Sequence, residues 1–146
     1  MTDNWNLIGH EWAVGMLQKH IANETTRHAY LFAGAPGLGR RTLAIRFAQA
    51  LNCQTPVAVG IPCGQCRDCK QIAAMQHPDL SVIEPTVKDS NNPRELVPAP
   101  NGEIRIQQIR ELQKTINLKP YQSLYRVFIF LRFQQAAISA SYYFFY

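Results

Sequence analysis

At 146 residues the chain is long enough for one domain with a sizeable core. Its 47% hydrophobic content is ordinary for a globular protein, and no run of about 18 uncharged apolar residues predicts a membrane span. A net charge of +5 favours anionic partners without naming one, and with no secretory signal after Met1 the expected compartment is the cytoplasm.

From Glu11 to Ala22 the residues Ala13, Val14, Leu17 and Ile21 recur at helical spacing, and the polar run Asn23–Thr26 ends that helix. Ala29–Ala33 is apolar and reads as a buried strand. Gly34–Thr42 follows as Gly-Ala-Pro-Gly-Leu-Gly-Arg-Arg-Thr, and Leu43–Leu51 reads as a helix. Strand, glycine-rich loop and helix in that order form the context of a phosphate-binding loop. Gly34, Gly37 and Gly39 would let consecutive N–H groups face a polyphosphate, and the helix N-terminus adds donors. The pattern G-x-x-x-x-G-K-[ST] is met at Gly34 and Gly39. It then asks for Lys and for Ser or Thr, where this chain has Arg40 and Arg41. Arg40 keeps the charge but is a planar fork, not a compact ammonium. Arg41 removes the hydroxyl that would ligate magnesium, and Thr42 lies about 100° further round the helix. The alternative is a glycine-rich turn that holds no ligand.

All four cysteines fall in one stretch, Cys53, Cys63, Cys66 and Cys69, with the spacing C-x9-C-x2-C-x2-C. Thiolates two residues apart wrap naturally around tetrahedral zinc, and Pro62 and Gly64 supply the turning that a knuckle needs. With no donor position left for a substrate, such a metal would be structural. Disulfides fit a cytosolic chain poorly. An iron–sulfur site shares the C-x2-C-x2-C run but lacks the C-x3-C-P element after Cys69. Unligated core cysteines are the remaining alternative, with Arg67, Asp68 and Lys70 as incongruous companions.

Beyond the knuckle, Asp68–Met75 reads as a helix. His77-Pro78-Asp79 reads as a proline-bounded turn, and Leu80–Pro85 as a strand. Residues 86–102 are rich in Pro, Asn and charge and predict a long mobile loop or a loose hairpin. Ile106, Ile109, Leu112 and Ile116 then mark one face of a helix, with Arg105 and Arg110 on a solvated face or toward a neighbour or DNA backbone. Tyr125–Phe130 reads as a buried strand followed by Leu131-Arg132, with no acid from Ser123 onward. An exposed Tyr142–Tyr146 would be an aggregation liability.

Ile8-Gly9-His10, Arg27–Phe32 and Gly34–Thr42 together resemble the start of a bacterial DNA polymerase III clamp-loader subunit of the AAA+ class. The cysteine module sits where the gamma/tau and delta-prime types carry a zinc module. His77-Pro78-Asp79 and the Gln-Ile-Arg-Glu-Leu run at 108–112 recur in them as well. The resemblance implies an α/β fold of the P-loop NTPase (AAA+) kind, a parallel sheet flanked by helices, with a zinc knuckle inserted at about 53–70. It places Leu7, Ile8 and His10 beside a nucleotide base. It makes Gly34, Gly37, Gly39, Arg40, Arg41 and Thr42 a degenerate phosphate loop for ATP or ADP. Magnesium is not expected, because the hydroxyl at 41 and the acid after Phe130 (the Walker B position) are both missing. The implied role is loading a sliding clamp onto primed DNA within the DNA polymerase III holoenzyme, with gamma/tau and delta subunits as partners and no membrane. Arg40 and Arg41 favour the delta-prime type, which does not hydrolyse ATP, and no catalytic residue is assigned. The likeness covers Leu7–Phe130, so an incomplete AAA+ domain is expected over 1–130 and an atypical tail over 131–146, with lid and collar domains unmatched. Two alternatives stand beside it: an active gamma/tau-type ATPase, and a zinc-knuckle module that binds nucleic acid.

Overall fold

Residues 4–138 and 140 are described by a computed structural model, in which the chain divides into two units. The first comprises Met1–Leu80 with Tyr121–Val127, the second Ser81–Pro120 with Phe128–Tyr146.

In the first unit, α1 (Glu11–Ala22) and α2 (Arg40–Asn52) set their apolar faces around Trp5, Val14, Leu17, Phe47 and Ala50. Leu17 is completely buried, and a leucine so placed contributes about 1.5–3 kcal/mol. The Phe47 ring stacks on Trp5 with centroids 6.2 Å apart and takes Tyr30 edge-on at 4.9 Å. The Trp5 indole N–H donates to the Gly60 carbonyl at 2.7 Å, tying the N-terminal segment to the cysteine-bearing loop. The short helix α3 (Arg67–Ala73) follows, its buried Ile72 and Cys69 facing inward.

The expected strand at Ala29–Ala33 is not formed among the described residues. The segment has no regular secondary structure, and no neighbouring strand is hydrogen-bonded to it. Nor is it buried throughout: Tyr30 and Phe32 pack on the core while Leu31 is 83% exposed. Alternation of faces survives without a ladder because the side chains, not a partner backbone, hold the segment.

β1 (Leu80–Ile83) and β4 (Val127–Phe130) form a two-stranded sheet. The Val127 N–H donates to the Asp79 carbonyl and the Leu131 N–H to the Ile83 carbonyl, both at 2.8 Å. The partners advance in the same direction, so the pair is parallel and needs the long crossover that α4 supplies. Of the strand expected to be buried, Ile129 alone is buried.

In the second unit, the proline- and asparagine-rich stretch is a hairpin, as one of the two expectations had it. β2 (Thr86–Lys88) runs antiparallel to β3 (Leu96–Pro98), with Val87 opposite Val97. α4 (Ile106–Thr115) turns Ile109 and Leu112 onto Ile83 and Ile104, with Phe128 and Phe130 packed against that cluster. Its entry is fixed by Gln108, whose side chain accepts the Arg105 N–H at 2.9 Å and donates to the Glu84 carbonyl at 2.9 Å. Ile116, expected on the apolar face, lies past the helix end and is half exposed. Arg105 is part-buried and pairs with half-exposed Glu103 at 3.4 Å, while Arg110 is exposed. In the tail, Phe133–Gln135 makes one 3-10 turn and Ala136 bridges in parallel to Ile104. Tyr142–Tyr146 lies outside the described residues.

Candidate functional site

Cys53 ends α2, a tight turn at Ala58–Ile61 reverses the chain, Cys63 follows Pro62, and Cys66 caps α3, which carries Cys69. The fold brings the four thiol sulfurs within 4.8 Å of one another. Cys53 Sγ lies 3.5 Å from Cys63 Sγ and 3.9 Å from Cys66 Sγ. A tetrahedron with bonds of about 2.3 Å has edges of about 3.8 Å, so the set fits one zinc-sized ion. Backbone amides already point at the sulfurs. Cys63 Sγ accepts from Cys66 N at 3.2 Å and from Gln65 N at 3.4 Å; Cys66 Sγ accepts from Cys69 N at 3.4 Å. Such N–H···S bonds orient and stabilise thiolate ligands. The Thr55 hydroxyl and the amides of Cys66 and Gln65 hold the Cys63 thiol down at about 6. Burial pushes the Cys53 and Cys69 thiols up. A divalent cation would reverse that by binding only the thiolates. Cys53, Cys63, Cys66 and Cys69 would hold such an ion as a closed structural site.

The glycine loop turns as its composition requires. Gly37 and Gly39 have φ of 84° and 81°, a region that an L side chain enters only with strain. Gly39 is the residue before α2, and its carbonyl accepts the Leu43 N–H at 2.9 Å. Gly34 and Gly37 are exposed, as are Arg41 and Thr42; Gly39 and Arg40 are half-buried. The Arg41 guanidinium lies 3.2 Å from the sulfur of Met75, just past the end of α3, and offers none of the hydroxyl chemistry a metal needs. Leu7 packs against the Trp5 cluster, whereas Ile8 and His10 are exposed. His10 starts α1 in the left-handed region at φ 60°.

A buried polar network in the first unit escaped the reading of His77-Pro78-Asp79 as a simple turn. His77 Nδ1 accepts the Asp79 N–H at 3.0 Å. That leaves the proton on Nε2, which donates to Asp68 Oδ1 at 3.2 Å. Asp68 and His77 side chains are both fully covered, so Asp68 is a core residue despite its place in a polar run. The Asp79 carboxylate accepts the amides of Tyr121 at 2.6 Å, Gln122 at 2.9 Å and Ser123 at 3.1 Å, and the Ser123 hydroxyl at 2.9 Å. The Arg126 guanidinium stands 3.5 Å away. Burial alone would raise this carboxyl, but the surrounding donors prevail and hold it at about 2. Gln122 reaches Asp68 Oδ1 at 2.8 Å. Buried Asn52 clasps Tyr125 twice, accepting its N–H at 2.9 Å and donating to its carbonyl at 3.0 Å. Buried Gln49 donates to the Cys69 carbonyl at 2.7 Å, joining α2 to α3. Gln49 and Asn52, polar residues within the largely apolar run that ends α2, were the available signal.

These features define an α/β protein whose glycine loop opens a helix and whose four thiols converge. The family described as "DNA polymerase III, delta subunit" matches residues 9–142, and the chain belongs to that family. It is 41% identical over 85 residues to DNA polymerase III subunit delta' of Pseudomonas aeruginosa, covering 58% of this chain and 22% of that protein. It is 37% identical over 70 residues to the Bacillus subtilis subunit delta', covering 48% and 21%. Against DNA polymerase III subunit tau/gamma of Haemophilus influenzae it is 27% identical over 124 residues, covering 85% and 16%. The chain thus spans about a sixth to a fifth of the length of these relatives. No helix among the described residues is long and apolar enough to cross a membrane.

Proposed function

We propose that the chain is a delta-prime-like clamp-loader subunit of the AAA+ kind. It takes part, in the cytoplasm, in loading a sliding clamp onto primed DNA beside gamma/tau and delta subunits, without hydrolysing ATP. The observation that carries this reading is Arg40-Arg41 at the helix-opening loop, where phosphoryl transfer needs a compact ammonium and a metal-binding hydroxyl. Leu131-Arg132 after β4, in place of an acid, supports it. These substitutions, not the comparisons, favour delta-prime, since relatives of both names match. The AAA+ part is assigned to residues 1–130, and the family match runs over 9–142. Calorimetry with ATP and ADP, with and without magnesium, is expected to show no magnesium-dependent binding. Tight binding that requires magnesium would restore the gamma/tau-type ATPase.

Within the same reading, Cys53, Cys63, Cys66 and Cys69 hold a structural zinc. Metal analysis of the purified chain is expected to give about one zinc per chain. Substoichiometric zinc accompanied by iron would overturn that assignment.

A further inference from the structure

Two residues adjoining the cysteines carry hydrogen bonds away from the cluster, and both end on the same short segment. Asn52, next to Cys53, clasps the Tyr125 backbone through both its amide atoms. Asp68, next to Cys69, accepts from the Gln122 side-chain amide and from the His77 ring. His77 in turn fixes the Asp79 N–H, and the Asp79 carboxylate gathers the amides of Tyr121, Gln122 and Ser123. Asn52, Asp68, His77 and Asp79 are each at most 4% exposed, so water competes for none of these bonds. The segment itself has no regular secondary structure at 121–126. Its order therefore depends on donors and acceptors supplied by other parts of the chain.

We infer that the cysteine module is a brace for residues 121–125, the stretch that leads into β4, and that metal occupancy sets how firmly this stretch is held. The inference rests on the metal reading above. The ligands fix the end of α2 and the start of α3; those two points place Asn52 and Asp68; and these hold the backbone of Tyr125 and the side chain of Gln122. Asn52, Asp68 and His77 are positioning residues, because none of them touches the ion.

Hydrogen exchange on the full chain, with metal content measured in the same sample, tests this. In zinc-loaded protein, removal of the ion by a chelator is expected to speed exchange of residues 121–125 about tenfold, while α1 stays within about twofold. In the variant Asn52→Ala/Gln122→Ala the same segment is expected to exchange as fast with zinc bound as the unaltered chain does without it. If α1 also loses protection in that variant, Gln122→Ala alone, at a half-buried position, is read against the unaltered chain. Unchanged exchange at 121–125 after measured loss of zinc overturns the inference, as does a chelation response that survives in the variant. A chain that takes up no metal fails the metal reading first. The brace then rests on the variant alone: a tenfold loss of protection supports it, and unchanged protection overturns it.

Discussion

Asp79→Ala is expected to destabilise the chain by about 3–5 kcal/mol, the cost of stranding buried partners of a removed charge. Three backbone amides, the Ser123 hydroxyl and the Arg126 guanidinium converge on this carboxylate, which is 1% exposed. Asp79→Asn keeps one acceptor but sets an NH2 group against N–H donors, so its cost is expected to be about half as large. The acid limb carries the same signature. The carboxyl is held at about 2, below its ordinary 3.8, so the stabilisation is complete above about pH 4 and lost as pH falls through about 2. That linkage is worth on the order of 2 kcal/mol. Urea unfolding between pH 2 and pH 7 on both variants measures it. If Asp79→Asn kept the acid-dependent loss of stability undiminished, another carboxyl would be its source.

Gly102→Ala is expected to cost about 3 kcal/mol, through close approach and not through backbone strain. A Cβ there would lie 2.5 Å from the Thr86 carbonyl oxygen and 2.8 Å from its nitrogen. Both are backbone atoms engaged with Glu103, Thr86 N–H donating at 3.0 Å and Thr86 carbonyl accepting at 3.2 Å. Room for a methyl group comes only by opening that pair, which combines an overpacking cost with the loss of hydrogen bonds at a buried residue. Gly37→Ala is the comparison. Its Cβ would meet nothing within 4 Å, and the left-handed conformation alone costs about 1–2 kcal/mol. Equal urea midpoints for the two variants would show that the Thr86 turn yields without resistance.

Helices were the most legible part of the chain. Val14 and Leu17, and Ile109 and Leu112, lie three residues apart, and each pair is buried on its helix. The helix read over Glu11–Ala22 has those bounds in the structure. Close cysteine spacing brought the thiols together because a short loop leaves them little freedom to separate. The strand at Ala29–Ala33 failed for the opposite reason: composition declares a strand, but a ladder needs a partner that local sequence does not specify. Asp68, His77 and Asn52 were misread or passed over because their partners lie up to 73 residues away. A polar letter in a polar run gives no sign that its side chain is turned inward. Gly102 was likewise invisible, since only the approach of Thr86 makes the missing Cβ matter.

The indole of Trp5 gives the chain an optical gauge. Of its two tryptophans, Trp5 is 2% exposed and bonded to Gly60, whereas Trp12 is 74% exposed. Emission from the first is therefore expected to be shifted to the blue and shielded from a soluble quencher, and that from the second to be red-shifted and quenched freely. Gly60 belongs to the loop between Cys53 and Cys63, so loosening that loop releases the indole and moves the blue component alone. Fluorescence can thus follow the condition of the cysteine loop in solution without a label.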